Sequence, residues 1–158
     1  MVSNGKDLYK LLDQIFEFYG YIRKKDTYYI YTAECICFFS IGKSSLGGHY
    51  DHVMGCFLKE IIKEKEEFPM YNKNHLKYSL RELADKALVK RIFDLEDKSF
   101  MDEQRERIIR ELIEKKAIEF LNDVSSKAGI IRAVSKYRDL IYYIKGDLFT
   151  HLNLSLPE

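Results

Sequence analysis

The chain is 158 residues long, 46% hydrophobic and 32% charged, with 26 Lys and Arg against 25 Asp and Glu for a formal net charge of +1. A chain of this length buries enough surface to fold without disulfides or metal, and its composition is globular and not that of a disordered segment. The charge balance excludes a strongly basic nucleic-acid binder and an acidic tail, leaving room only for a local patch.

Residues 1–10 lack the apolar core of a signal peptide, because Asn4, Gly5, Lys6 and Asp7 interrupt it. The longest apolar run, residues 35–39, is far short of the ~18 uncharged residues that span a bilayer, so no membrane partner is expected. The cysteines Cys35, Cys37 and Cys56 are odd in number and lie close in sequence, which fits reduced thiols in a cytoplasm better than a disulfide framework.

Residues 7–19 place Leu8, Leu11, Leu12, Ile15, Phe16 and Tyr19 on one helical face, with Gly20 as the C-cap. Residues 21–25 and 28–33 read as two short strands around Asp26-Thr27. Residues 34–41 are apolar on both faces, as in a central strand, and 42–48 form a turn-rich loop. Residues 50–58 read as a fourth strand, in which Gly55 marks a bulge or a close backbone approach. Pro69 makes 66–75 an irregular connection.

Composition then shifts near residue 79. Residues 80–128 hold 23 charged side chains among 49 positions and neither Gly nor Pro, which reads as helix. Ser79 with Glu82 gives a capping box for a helix over 80–93, and the clearest helix runs over about 102–124. On it, Glu103/Arg107, Glu106/Arg110 and Glu111/Lys115 make exposed i,i+4 pairs. Ser125 or Ser126 caps another helix through Tyr137, and a last one over about 139–145 closes at Gly146. The expectation is one α+β domain over 1–158, strand-rich over 20–60 and helical over 79–150. Its antiparallel meander of about four strands is packed by an N-terminal helix and three or four C-terminal helices.

Catalytic patterns are weak. Gly42-Lys43-Ser44 follows an apolar strand as a phosphate-binding loop does, but Cys37 stands where such a loop needs its first glycine, and a strand follows instead of a helix. Cys35, Cys37, Cys56, His49 and His52 are metal-ligand types without metal-ligand spacing, and alternation puts Cys35 and Cys37 on one face of a core strand. A Cys–His pair from Cys37 or Cys56 with His49 and Asp51 lacks any sign of an activated thiolate. No catalytic residue, metal or cofactor is expected.

Two binding surfaces remain. Arg23, Lys25, Lys43, Ser44 and His49 could hold a small ligand or a single nucleic-acid strand, with binding that weakens with salt; the balanced charge disfavours nucleic acid. Tyr21, Tyr29 and Tyr31 could form a protein-binding patch, if helices cover only one face of the sheet and leave the other open.

The run Gly20-Tyr21-Ile22-Arg23-Lys24-Lys25, followed by Tyr28-Tyr29, and the strand ending Phe39-Ser40-Ile41-Gly42-Lys43-Ser44-Ser45 resemble a bacterial family catalogued as domain of unknown function 4304. Gly47-Gly48-His49-Tyr50, Phe93-Asp94-Leu95-Glu96-Asp97 and Phe120-Leu121 are similar as well, so the resemblance covers most of 7–135, with 59–67 and the tail after Tyr137 outside it. It implies a small bacterial α+β protein and no catalytic residues. The expected function is a non-enzymatic cytoplasmic protein-interaction domain of the sequestering or immunity-like kind. Its partner would be another protein, with a homodimer also open. The alternative is the small-ligand or single-strand binder at 42–49 with 23–25.

Overall fold

A computed structural model describes residues 1–63 and 66–157. Asn4 accepts the Asp7 amide at 2.9 Å and so starts α1 (Gly5–Phe18). Its far end is a Schellman turn: the Tyr21 amide reaches the Phe16 carbonyl at 2.9 Å, the Gly20 amide reaches Glu17, and Gly20 takes φ +88°. That turn drops the Tyr21 ring onto Phe16, with centroids 5.0 Å apart, and feeds the chain into the sheet.

The sheet has five strands among the described residues, in the order β1 (Ile22–Lys24), β2 (Thr27–Tyr31), β3 (Cys35–Lys43), β4 (Tyr50–Leu58) and β5 (Leu76–Tyr78), all antiparallel. The α+β architecture is the expected one, with one strand more than predicted. β5 has three residues, too short a run for alternation to register, and lies at the end of the stretch read as irregular.

Facing residues in paired strands share a side of the sheet. The row Arg23–Tyr28–Phe39–Met54–Tyr78 faces the helices. There Phe16 stacks on Tyr28 at 4.5 Å and contacts Phe39 at 5.2 Å, while Tyr78 stacks on Phe120 at 4.9 Å. The row Ile22–Tyr29–Phe38–Gly55 faces away. An open second face was the condition for a tyrosine patch, and it is not met. Tyr29, Ile36, Phe38 and Phe57 are buried beneath Ile62 and Phe68 of the connection after β4. The Tyr29 hydroxyl donates to the Pro69 carbonyl at 2.7 Å, which pins that cover in place.

The predicted helix over 80–93 divides. Ser79 caps only a 3₁₀ turn, Leu80–Glu82, and Asp85 restarts the helix as α2 (Lys86–Ile92) by accepting the Leu88 amide at 2.9 Å. The predicted 102–124 helix is α3 (Asp102–Leu112), a π-helical turn Ile113–Ala117 and α4 (Ile118–Asp123). Of its predicted surface pairs, Arg110 lies 4.0 Å from Glu106 and Lys115 3.6 Å from Glu111, while Glu103 and Arg107 form no ion pair among the described residues. Ser126 caps α5 (Lys127–Lys136) through the Gly129 amide. The predicted last helix is instead a 3₁₀ turn, Leu140–Tyr143, because Asp139 takes φ +58°; Gly146 opens α6 (Gly146–His151) where it was expected to close one.

Gly55 answers the choice between bulge and close approach. It pairs with Lys77, and a Cβ there would fall inside the Leu76 carbonyl. Gly55→Ala is expected to lower stability by about 3 kcal/mol, the upper end of overpacking costs, since a backbone oxygen cannot rotate away; urea unfolding measures it.

His52 lies between the rings of Phe39 and Phe93, and its Nε2 accepts the Leu80 amide at 2.9 Å. Burial first, and Arg81 second, push its pKa from 6.5 down to about 4. Between those values the unfolded chain takes a proton that the folded chain refuses. Stability is therefore full above pH 6.5 and falls toward pH 4, by about 3 kcal/mol from this residue. Urea midpoints across pH 7 to 4 should show that slope, and His52→Gln should flatten it.

Candidate functional site

The five expected ligand-binding residues fall in separate settings at one end of the sheet. Arg23 faces α1, its Nε 3.3 Å from Asp13 and its guanidinium 5.1 Å from the Tyr9 ring centre. The Tyr28 hydroxyl donates to the same Asp13 at 2.7 Å. Arg23 is thus tied into the packing of α1 on the sheet. Lys25 is exposed in the two-residue turn between β1 and β2, at φ +55°.

Lys43 ends β3, and the loop beyond it is closed by the Ser44 amide donating to the His49 carbonyl at 2.9 Å. The Ser44 hydroxyl accepts the Leu46 amide at 3.2 Å, and His49 Nε2 lies 3.8 Å from Asp51. Lys43 and Gly48 join Ser3, Asn4, Gly5 and Lys98 around a shallow hollow of about 260 Å³ that Arg23 and Lys25 do not reach.

The loop is fastened to a second one. The Leu95 amide donates to Gly48, and the Tyr50 amide to Phe93 at 2.9 Å. Arg105, only 2% exposed, holds that second loop from beneath. Its Nη1 donates to the carbonyls of Arg91, Ile92 and Asp94, its Nη2 to Asp97, and its charge lies 5.3 Å from the Phe100 ring centre. Arg91 and Ile92 end α2, where carbonyls lack helical partners and carry partial negative charge, so a cation suits the place.

The cysteines are all buried, with Cys37 directly opposite Cys56. Burial pushes the Cys37 thiol above its ordinary pKa, and a hydrogen bond with Cys35, then burial, raises Cys56 well above it too. Protonated, enclosed thiols are poor nucleophiles and poor ligands. Among the described residues, no three His, Cys, Asp or Glu side chains gather as a metal set.

The tyrosine patch is corrected in two of its three members. Tyr21 is 4% exposed inside the helical core, its hydroxyl unpartnered among the described residues, and Tyr29 is 5% exposed beneath Phe68. A tyrosine ring is large enough to serve as core, and register alone decides which side it takes. Tyr31 is 44% exposed, edge-on to Phe68 at 6.0 Å with the Lys59 ammonium over its ring.

Among the exposed apolar residues that sequence reasoning missed are Phe18, at 83%, and Ile22, at 53%. Ile22, Tyr31 and Phe68 line an open groove with Glu66 and Glu67 at its rim. The signal for Ile22 was its pairing with Tyr29, legible only once the register is known. Among the described residues β1, beside this groove, is the unpaired edge of the sheet. The opposite edge is covered, because Leu76 bridges to Ile144 and the Lys145 amide donates to the His75 carbonyl at 2.9 Å.

Among the described residues no helix is long and apolar enough to cross a membrane. No family model, no curated protein and no solved structure matches the chain.

Arg105→Met should cost about 3 kcal/mol, because the Ile92 and Asp97 carbonyls lose their donor while those of Arg91 and Asp94 keep only a backbone amide. Arg105→Lys should not restore it, since a single ammonium cannot reach carbonyls spread across two turns. Hydrogen exchange should quicken at the Leu95 and Tyr50 amides, which bridge the two loops; unchanged exchange there would show that Arg105 does not hold them.

Proposed function

We propose that the chain is a non-enzymatic protein-binding module that takes an extended segment of another protein onto the open edge of β1. The observation that supports this is an open edge with apolar side chains exposed beside it: Ile22 and Tyr31 are exposed on one face there, and among the described residues the outer backbone groups of β1 are unpaired. Strand addition supplies backbone hydrogen bonds, and alternate side chains of the incoming segment supply specificity. An apolar residue of the segment sits in the groove of Ile22, Tyr31 and Phe68, and an acidic residue two positions along, on the same face, meets Lys24, with Lys25 in the turn beyond it. The same lysines repel a second copy, so a different protein is the better occupant than a homodimer. A stoichiometric complex of this kind suits a cytoplasmic domain that sequesters or neutralises its partner. Membership of the family catalogued as domain of unknown function 4304 belongs to this proposal and supplies no residue roles.

The second reading, a small anion or single nucleic-acid strand at 42–49, has Lys43 and Lys98 beside the start of α1 in its favour. Against it, Arg23 is already paired with Asp13.

Selection from a peptide display library distinguishes them. The edge reading expects extended peptides that carry an apolar and an acidic residue two positions apart. Ile22→Asp should weaken their binding by about tenfold or more, or roughly 1.4 kcal/mol, and Lys43→Ala should leave it unchanged. Failure to enrich any peptide, or affinity indifferent to Ile22→Asp, overturns the proposal. Steep salt dependence together with loss on Lys43→Ala supports the second reading instead.

A further inference from the structure

On the second face of the sheet, the connection after β4 leaves a cavity of about 290 Å³ between itself, β4 and the start of α6. Its floor is apolar, formed by Phe57, Ile61, Ile62 and Pro69. Two buried polar residues interrupt that floor, Asn74 at 3% exposure and His75 at 9%.

Their chemistry is fixed by the backbone. His75 Nδ1 accepts the Leu58 amide at 2.9 Å, so the ring proton is on Nε2 and the ring offers a donor. Burial lowers the His75 pKa, which keeps this neutral form. Asn74 Nδ2 donates to the Tyr71 carbonyl at 2.7 Å, which fixes the amide orientation. Its Oδ1 is then a buried acceptor with no donor among the described residues. Buried acceptors are nearly always satisfied, so an unmet one calls for a partner that the protein does not supply.

The mouth carries charge of both signs. Lys63 lies 3.3 Å from Asp147, and Lys73 lies 3.9 Å from Glu66. Lys145 donates to the Asn72 carbonyl at 3.1 Å and forms no ion pair among the described residues. One cation and one neutral N–H donor therefore stand available for an anion, next to an unmet acceptor and an apolar floor.

We infer that this cavity binds a small 2-hydroxy or 2-amino carboxylic acid with an apolar side chain. The carboxylate takes Lys145 and the His75 Nε2–H, the 2-substituent donates to Asn74 Oδ1, and the side chain lies on Phe57, Ile61, Ile62 and Pro69. The volume sits at the small end of ligand sites, about 300–1,000 Å³, which suits a ligand of this size and not a nucleotide or a lipid. The site is independent of the β1 edge.

The test is titration of the full chain at pH 7 with 2-hydroxy-4-methylpentanoate, leucine and 4-methylpentanoate, read by calorimetry and by amide shifts. Either of the first two should saturate at one per chain and shift the amides of His75 and Lys145; which one does so names the 2-substituent. 4-Methylpentanoate, lacking the donor for Asn74, should bind at least about tenfold more weakly. Lys145→Met, a change at an exposed position, should weaken the binding acid by a similar factor, and Ile22→Asp should not. Absence of saturable binding by both acids overturns the inference. So does equal binding of 4-methylpentanoate, or indifference to Lys145→Met.

Discussion

The structure depends on β3 being buried on both sides. Phe38 and Phe39 are neighbours in sequence, point to opposite faces, and are each fully enclosed. Each ring withdrawn from water is worth about 1.5–3 kcal/mol, so neither face can be left open cheaply. Helices cover the Phe39 side, where Phe16 of α1 meets it, and the connection after β4 covers the Phe38 side with Ile62, Phe68 and Pro69. That connection has little regular structure, yet it is a second layer of the core. Gly55 makes the arrangement compatible with a fifth strand: it sits across from Phe38 on β4 and lets β5 approach closely.

With both faces occupied, surface for recognition is left at the rims of the sheet. The β5 rim is taken up by Ile144 and Lys145, and the β1 rim is not. The covering connection borders both proposed sites, since Phe68 lines the groove beside β1, Pro69 lines the cavity, and Glu66 lines both. The irregular segment is thus where backbone and side chains are not already committed to ladder hydrogen bonds, and residues lining both proposed sites gather on it.

Signals that are local were readable in the sequence. The helical spacing of Leu8 to Phe16, Gly20 at the end of α1, the two-sided apolarity of residues 35–41 and the backbone demand at Gly55 each follow from a few neighbouring residues. What escaped depends on distant partners. β5 takes its identity from pairing with β4, and the burial of Tyr21 and Tyr29 depends on Phe16 and Phe68 respectively. The cavity joins Phe57, Asn74, His75 and Lys145, which no spacing rule connects. Arg105 escaped for another reason: in a stretch so rich in charge, one buried guanidinium looks like its solvated neighbours.

The buried titratable groups have hydrogen-bonding positions already taken by the backbone. Arg105 spends its donors on backbone carbonyls, and His52 spends Nε2 on the Leu80 amide. His75 accepts the Leu58 amide at Nδ1 and holds its proton on Nε2. A general base needs a free lone pair near its target, and neither histidine has one: in His52 the acceptor nitrogen is occupied, and in His75 the acceptor nitrogen holds the Leu58 amide while the other carries hydrogen. His75 can give a hydrogen bond and cannot take a proton without releasing the β4 backbone. The Cys37 and Cys56 thiols are likewise held above the ordinary thiol range in the core, so none of these buried groups is a free base or nucleophile.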